Sequence, residues 1–219
     1  GQSGLVALDW MNGNRSVLMD SDLSGVVLGL TLRTRPEEIY RSLIEATAFG
    51  TRVILAAHRD AGLPMHELVV CGGLTQDPLI MQIYADVTGL PVKVAASGQA
   101  VALGAAIFGG LAAGQFGSAP GSVEDAIIKM TRPPQATYQP SAEHREVYDS
   151  LFGIYLHAQN HFGREHAQLM KKLKKLGKKW TEKQRISIMK SLKTPWNKGT
   201  RGVCKPNSGS FSIASTIGE

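Results

Sequence analysis

The order of elements between residues 67 and 113 constrains this chain more than any other feature. Glu67-Leu68-Val69-Val70-Cys71 is an apolar run of strand length, read as a short buried strand, and it leads straight into Gly72-Gly73. Asp77-Pro78 then pairs an N-cap residue with a proline suited to the first helical position. Leu79, Ile80, Ile83, Tyr84 and Val87 form one broad apolar face, and Gly89 stands where a helix end favours a left-handed residue. Residues 91–95 supply another strand. Residues 102–113 form a helix rich in Ala and Gly, small enough to lie close against a sheet. Strand, glycine turn, helix, strand, helix is the signature of an α/β layer.

Before this unit, residues 5–10 are strand-like, residues 11–14 supply turn residues, and residues 16–19 suggest a second short strand, followed by a loop over residues 20–29. Pro36-Glu37-Glu38 opens a long amphipathic helix, with two carboxylates at the positive end of its dipole, that Gly62-Leu63-Pro64 stops. After it, residues 115–121 read as a loop, residues 122–130 as a short helix broken by Arg132-Pro133-Pro134, and residues 141–162 as a helix. The globular body is expected to span residues 1–176, with a basic tail over 177–219.

Charge supports that division. Up to Gly163 there are 10 Lys and Arg against 15 Asp and Glu; beyond it there are 14 against 3, a net of −5 and then +11. The overall charge of +6 is therefore a property of the last quarter, and any nucleic-acid contact must lie there. With 43% hydrophobic residues among 219, a sizeable core is expected. The longest nearly uncharged run, residues 101–114, would rise only about 21 Å as a helix, short of a bilayer's hydrocarbon core of about 30 Å. No membrane span is expected. Cys71 and Cys204 form no disulfide framework and no metal-binding spacing. With no secretory signal visible, a cytoplasmic protein is the expectation, and the sequon Asn14-Arg15-Ser16 carries no weight.

The glycine turn is the main candidate for chemistry. Glycines at a strand end allow φ > 0 and leave no Cβ in the way, so a flat base or a phosphate can rest on the backbone beside the next helix N-terminus. The spacing is neither a dinucleotide fingerprint nor a Walker A loop. Taken alone, a tight turn accounts for it as well.

Cys71-Gly72-Gly73, the helix Leu79-Ile80-Met81-Gln82-Ile83-Tyr84-Ala85-Asp86-Val87-Thr88-Gly89 and Ala102-Leu103-Gly104-Ala105-Ala106 together resemble the C-terminal domain of the FGGY carbohydrate kinases. The runs Leu5-Val6-Ala7-Leu8-Asp9-Trp10, Asn12-Gly13-Asn14-Arg15-Ser16 and Ile44-Glu45-Ala46-Thr47-Ala48-Phe49-Gly50-Thr51-Arg52 extend the likeness over residues 1–176. The resemblance implies an actin-like ATPase fold, with two RNase H-like domains clamping ATP, Mg²⁺ and a small sugar. This chain would hold most of the second domain. It implies that Gly72, Gly73 and Asp77, with Gln76 adjacent, face the adenosine and α-phosphate, and that residues 102–106 approach the same pocket. Family members often carry Asn where Asp77 stands, which leaves helix capping as its other role.

Phosphoryl transfer also needs a phosphate cradle, a metal site and a base. By resemblance these lie in the missing N-terminal kinase domain, so no catalytic residue is expected here and the chain alone should not phosphorylate a sugar. Asp9 is read as a strand-end residue and Asp86 as part of a solvated helix face. His157 and His161, four apart, with His166 following, are read as a surface helix, and no metal site is expected. An exposed former interface would favour homo-oligomers.

Residues 181–193 read as a capped basic helix before Thr194-Pro195-Trp196-Asn197-Lys198-Gly199. This run somewhat resembles the small DNA-binding motifs attached to homing endonucleases, which implies nucleic-acid contact through residues 181–205. The alternative to a kinase domain is therefore a non-enzymatic module whose tail binds nucleic acid. A disordered or non-native extension is the plainer account of the tail.

Overall fold

A computed structural model describes residues 1–117 and 122–193. The chain divides into two units, Gly1–Leu176 and Gly177–Glu219. The described residues run β1 (Val6–Leu8), β2 (Val26–Leu28), α1 (Pro36–Asp60), β3 (Leu68–Val70), a 3₁₀ turn (Gly73–Gln76), α2 (Pro78–Thr88), β4 (Val92–Val94), α3 (Ala100–Ala112), α4 (Ser122–Met130), β5 (Ala136–Tyr138), α5 (Ala142–Asn160), a π-turn (His161–Glu165) and α6 (Ala167–Lys193).

Two small sheets flank the helices. β1 and β2 pair antiparallel with Ala7 opposite Val27. β4 is central in the second sheet, parallel to β3 and antiparallel to β5, with Val92 opposite both Leu68 and Tyr138. The parallel β3–α2–β4 crossover is the expected α/β unit.

α2 joins two cores because it is apolar on two sides, the pattern of a helix with little solvent face. Ile83 and Val87 enter a larger core with Val6, Leu8, Trp10, Phe49, Tyr155 and Met170. Ile80, Met81 and Ala85 pack in a smaller one with Val92 and Val94. Asp77 Oδ1 accepts from Leu79 N at 2.9 Å, and Gly89 closes the helix at φ 71°. Both ends are thus capped as the sequence predicts. In the larger core Phe49 of α1 meets Tyr155 of α5 with ring centroids 5.4 Å apart, and Arg52 lies over the Phe152 ring while bonding Asp149.

Several local expectations are corrected. The partner of β1 is Val26–Leu28, inside the stretch read as a loop, whereas residues 16–19 form no strand; Asn14 and Asp20 instead close that segment through paired backbone bonds of 2.9 Å. β3 is not buried: Val69 is 66% exposed, because the strand lies at a sheet edge and its outward face is uncovered. α3 is not pressed onto a sheet; it packs against α4, and only Ile107 is buried. β5 carries no alternating signal strong enough to announce a strand and forms by pairing with β4. Asp86 is buried rather than solvated, 5% exposed on α2.

In the second unit the described residues 177–193 are helical. Thr181 is no cap there; its Oγ1 donates back to Gly177 O at 3.0 Å. The turn expected at residues 194–199 and the rest of the tail lie outside the described residues.

Candidate functional site

β3 delivers the chain to Gly72, whose φ of 105° and ψ of −175° belong to a region that side-chain-bearing residues rarely enter. The next four residues wind into the 3₁₀ turn. Thr75 ties it together, since both its backbone N–H (3.2 Å) and its hydroxyl (2.7 Å) donate to Gly72 O. Asp77 N donates to Leu74 O at 3.3 Å, and the Asp77 carboxylate accepts from the Leu79 N–H in the first turn of α2.

Gly72, Gly73, Gln76 and Asp77 therefore lie in one exposed turn at the start of α2. A Cβ placed on Gly72 or Gly73 would meet nothing within 4 Å, so the backbone there faces open space. A planar or anionic group can approach it closely. Asp77 Oδ1 is engaged as a cap, the alternative role considered for it.

A cavity of about 690 Å³ opens beside β3, α3 and α4. Val69, Ser97, Leu103, Gly104, Ile107 and Met130 are among its mostly apolar lining. Leu103 and Gly104 come from the segment expected near the nucleotide pocket, while none of the four turn residues lines the cavity. Val69 belongs to the strand that ends two residues before Gly72, and only its position on an uncovered sheet edge reveals it.

The other acidic candidates separate clearly. Asp9 stands just past β1, and partial burial raises its carboxyl above the usual carboxylate range, opposed by a backbone hydrogen bond. Asp86 is occupied: its Oδ1 accepts from Gln82 Nε2 and Ser141 N, both at 2.8 Å, and its Oδ2 lies 2.8 Å from His144 Nδ1. It holds α2 to the start of α5. Sequence reading missed this because an Asp among Ala85 and Val87 looks solvated until β5 and α5 fold over it.

His157 and His161 are not the histidines brought together. His161 instead meets Glu165 and His166, with one ligand atom of each within 4.8 Å of the others, all exposed. Spacings of four and five converge only because the backbone there is a π-turn, which no residue-type rule announces.

Residues 2–113 match the family model described as "FGGY family of carbohydrate kinases, C-terminal domain". Among curated proteins, the chain is 50% identical over 177 residues to a ribulokinase of Bacillus licheniformis, covering 80% of this chain and 32% of that protein. It is 52% identical over 177 residues to a ribulokinase of Halalkalibacterium halodurans, covering 80% and 31%. The chain thus spans about a third of the length of these relatives. Among solved structures it resembles a xylulose kinase from Rhodospirillum rubrum, at 27% identity and a TM-score of 0.61, over 73% of this chain and 31% of that one. A ligand-bound xylulose kinase from Lactobacillus acidophilus, 21% identical with a TM-score of 0.63 over 75% and 32%, shares the fold. These neighbours have the actin-like ATPase fold that the family resemblance implies. By its family match the chain belongs to the FGGY carbohydrate kinases, of which it carries the C-terminal domain.

Proposed function

We propose that residues 1–176 form the nucleotide-facing domain of an ATP-dependent sugar kinase, with residues 177–219 a separate tail. In the complete enzyme the γ-phosphoryl group of ATP passes to the 5-hydroxyl of L-ribulose. The identity to ribulokinases over 177 residues supports that substrate.

One observation carries the reading: Gly72 and Gly73 present bare backbone, with open space where side chains would stand, next to the N-terminus of an eleven-residue helix. In this reading the adenosine and α-phosphate rest on Gly72 and Gly73, Gln76 lies alongside, and Asp77 fixes the helix start. Leu103 and Gly104 line the adjacent apolar cavity and allow close approach. Glycerol kinase of Plasmodium falciparum, solved with ADP, shares the fold at 22% identity and a TM-score of 0.58.

Magnesium prefers oxygen ligands and usually shares them with substrate phosphates. Among the described residues the convergent donor cluster is two histidines and one glutamate, which does not fit it. We therefore assign Mg²⁺ to the phosphates of ATP and to the preceding domain of the complete enzyme, together with the catalytic base. This chain's part is to bind and orient the nucleotide, and alone it is inactive.

Calorimetry of the purified chain with ATP·Mg and ADP·Mg, beside Gly73→Asp, tests this. Saturable binding that the variant loses supports the reading; binding that survives an aspartate in the turn refutes the assignment of these residues. A folded wild type that gives no heat means that the nucleotide needs both domains.

A second reading rests on residues 181–205, where exposed Lys183 and the further Lys and Arg residues of the sequence suit a polyanion such as nucleic acid. Deleting residues 180–219 would abolish DNA retention and leave nucleotide binding intact. Exposed Val101 and Phe108 on α3 favour self-association to a homo-oligomer when the domain stands alone. Among the described residues no helix is long and apolar enough to cross a membrane.

A further inference from the structure

From the geometry that follows α5 we infer that His161, Glu165 and His166 bind a divalent transition-metal ion of the zinc type. The backbone makes the site. In an α-helix residues four apart share a face, while a residue five on has turned away. Here His161–Glu165 is a π-turn, and His166 N donates to His161 O at 2.7 Å, a step of five residues. That wider loop returns His166 above His161, with ring centroids 4.4 Å apart, while Glu165 Oε2 stands 3.6 Å from His161 Nδ1.

One ligand atom from each residue then lies within 4.8 Å of the other two. Tetrahedral zinc with bonds of about 2.0–2.1 Å wants its donors about 3.4 Å apart. Small side-chain rotations close that difference, and all three side chains are exposed. The donor set decides the class of ion: two imidazoles and one carboxylate suit zinc, nickel or copper and leave a coordination place for water. Magnesium and calcium would need more oxygen ligands. His157, one turn earlier, lines the same shallow cavity of about 450 Å³ as His161 and Glu165 but stands outside the cluster. π-turns inside helices are frequent at functional sites.

The test uses the full chain, stripped of metal, titrated with Zn²⁺ in a calorimeter and with Co²⁺ in a spectrophotometer. The expected result is one saturable zinc equivalent, with His161→Ala and His166→Ala each weakening binding about tenfold or more. His66→Ala, an exposed histidine elsewhere, should leave it unchanged. Glu165→Gln, nearly isosteric, should weaken zinc while preserving the circular-dichroism spectrum, which keeps the test valid if an alanine variant unfolds. Absence of binding by the wild type overturns the proposal. So does binding that persists in both histidine variants, including a cobalt spectrum with the strong near-ultraviolet band of thiolate ligation.

Discussion

His144 Nδ1 lies 2.8 Å from Asp86 Oδ2, and the two ends of that contact differ sharply: Asp86 is buried on α2, His144 exposed on α5. The same carboxylate also receives Ser141 N and Gln82 Nε2. Removing Asp86 takes the acceptor from the Ser141 N–H, while removing the exposed His144 ring lets water reach the Oδ2 that it leaves. Asp86→Ala should therefore cost about 2–4 kcal/mol, and His144→Ala about 1 kcal/mol or less. Urea unfolding of both variants checks this, and equal losses would contradict it.

Gly72 and Gly73 should respond differently although they are neighbours. Gly72 needs its φ of 105°, so Gly72→Ala should cost about 1–3 kcal/mol. Gly73 has open space and no such backbone demand, so Gly73→Asp should leave stability within about 0.5 kcal/mol. Thermal denaturation of the pair separates strain from binding and validates Gly73→Asp as a probe of nucleotide affinity.

Gly13 combines both constraints. Its φ is +82°, and an added Cβ would stand 2.5 Å from Ser21 Cα and 2.8 Å from Asp20 O, all backbone. Gly13→Ala should cost about 2–5 kcal/mol by strain and displacement of the segment between β1 and β2. A chemical-denaturation midpoint equal to wild type would show that the turn relaxes freely.

Alkali should weaken the larger core, which holds Tyr148 and Tyr155. Burial pushes the Tyr148 phenol up to about 12, with the Arg41 hydrogen bond opposing, and burial together with the charge of Asp9 raises Tyr155 further. A raised folded-state value means that the unfolded chain releases its proton first, near 10. Stability is then complete below about pH 10 and falls from there through pH 12. Unfolding monitored from pH 8 to 12 should show that decline, and Tyr148→Phe should shorten it.

The α/β unit was legible because its signals are local: the strand before Gly72, Asp77-Pro78 and Gly89 each settle their own few residues. The long α1 was legible for the same reason, from Pro36 to its stop at Gly62. What escaped depends on partners distant in sequence. Val26–Leu28 becomes a strand by meeting β1, and Ala136–Tyr138 by meeting β4. Asp86 is buried by Ser141 and His144, more than fifty residues away. Of the candidate site, the glycine turn could be read directly, whereas Val69 and the cavity beside it required the packing of α3 on α4.

The π-turn after α5 also sets a register. Its backbone hydrogen bond spans five residues where that of an α-helix spans four, so one residue is surplus to a regular helix. Downstream, Met170 fills the larger core while Lys171 reaches Asp20 at 2.7 Å and Lys174 donates to the carbonyls of Ser21 and Leu23. Excising a single residue from the turn would shift this sequence back by one place and deliver the ammonium of Lys171 to the position Met170 now occupies. The surplus residue is thus a spacer that keeps a methionine inside and a lysine out, and the segment tolerates substitution far better than deletion.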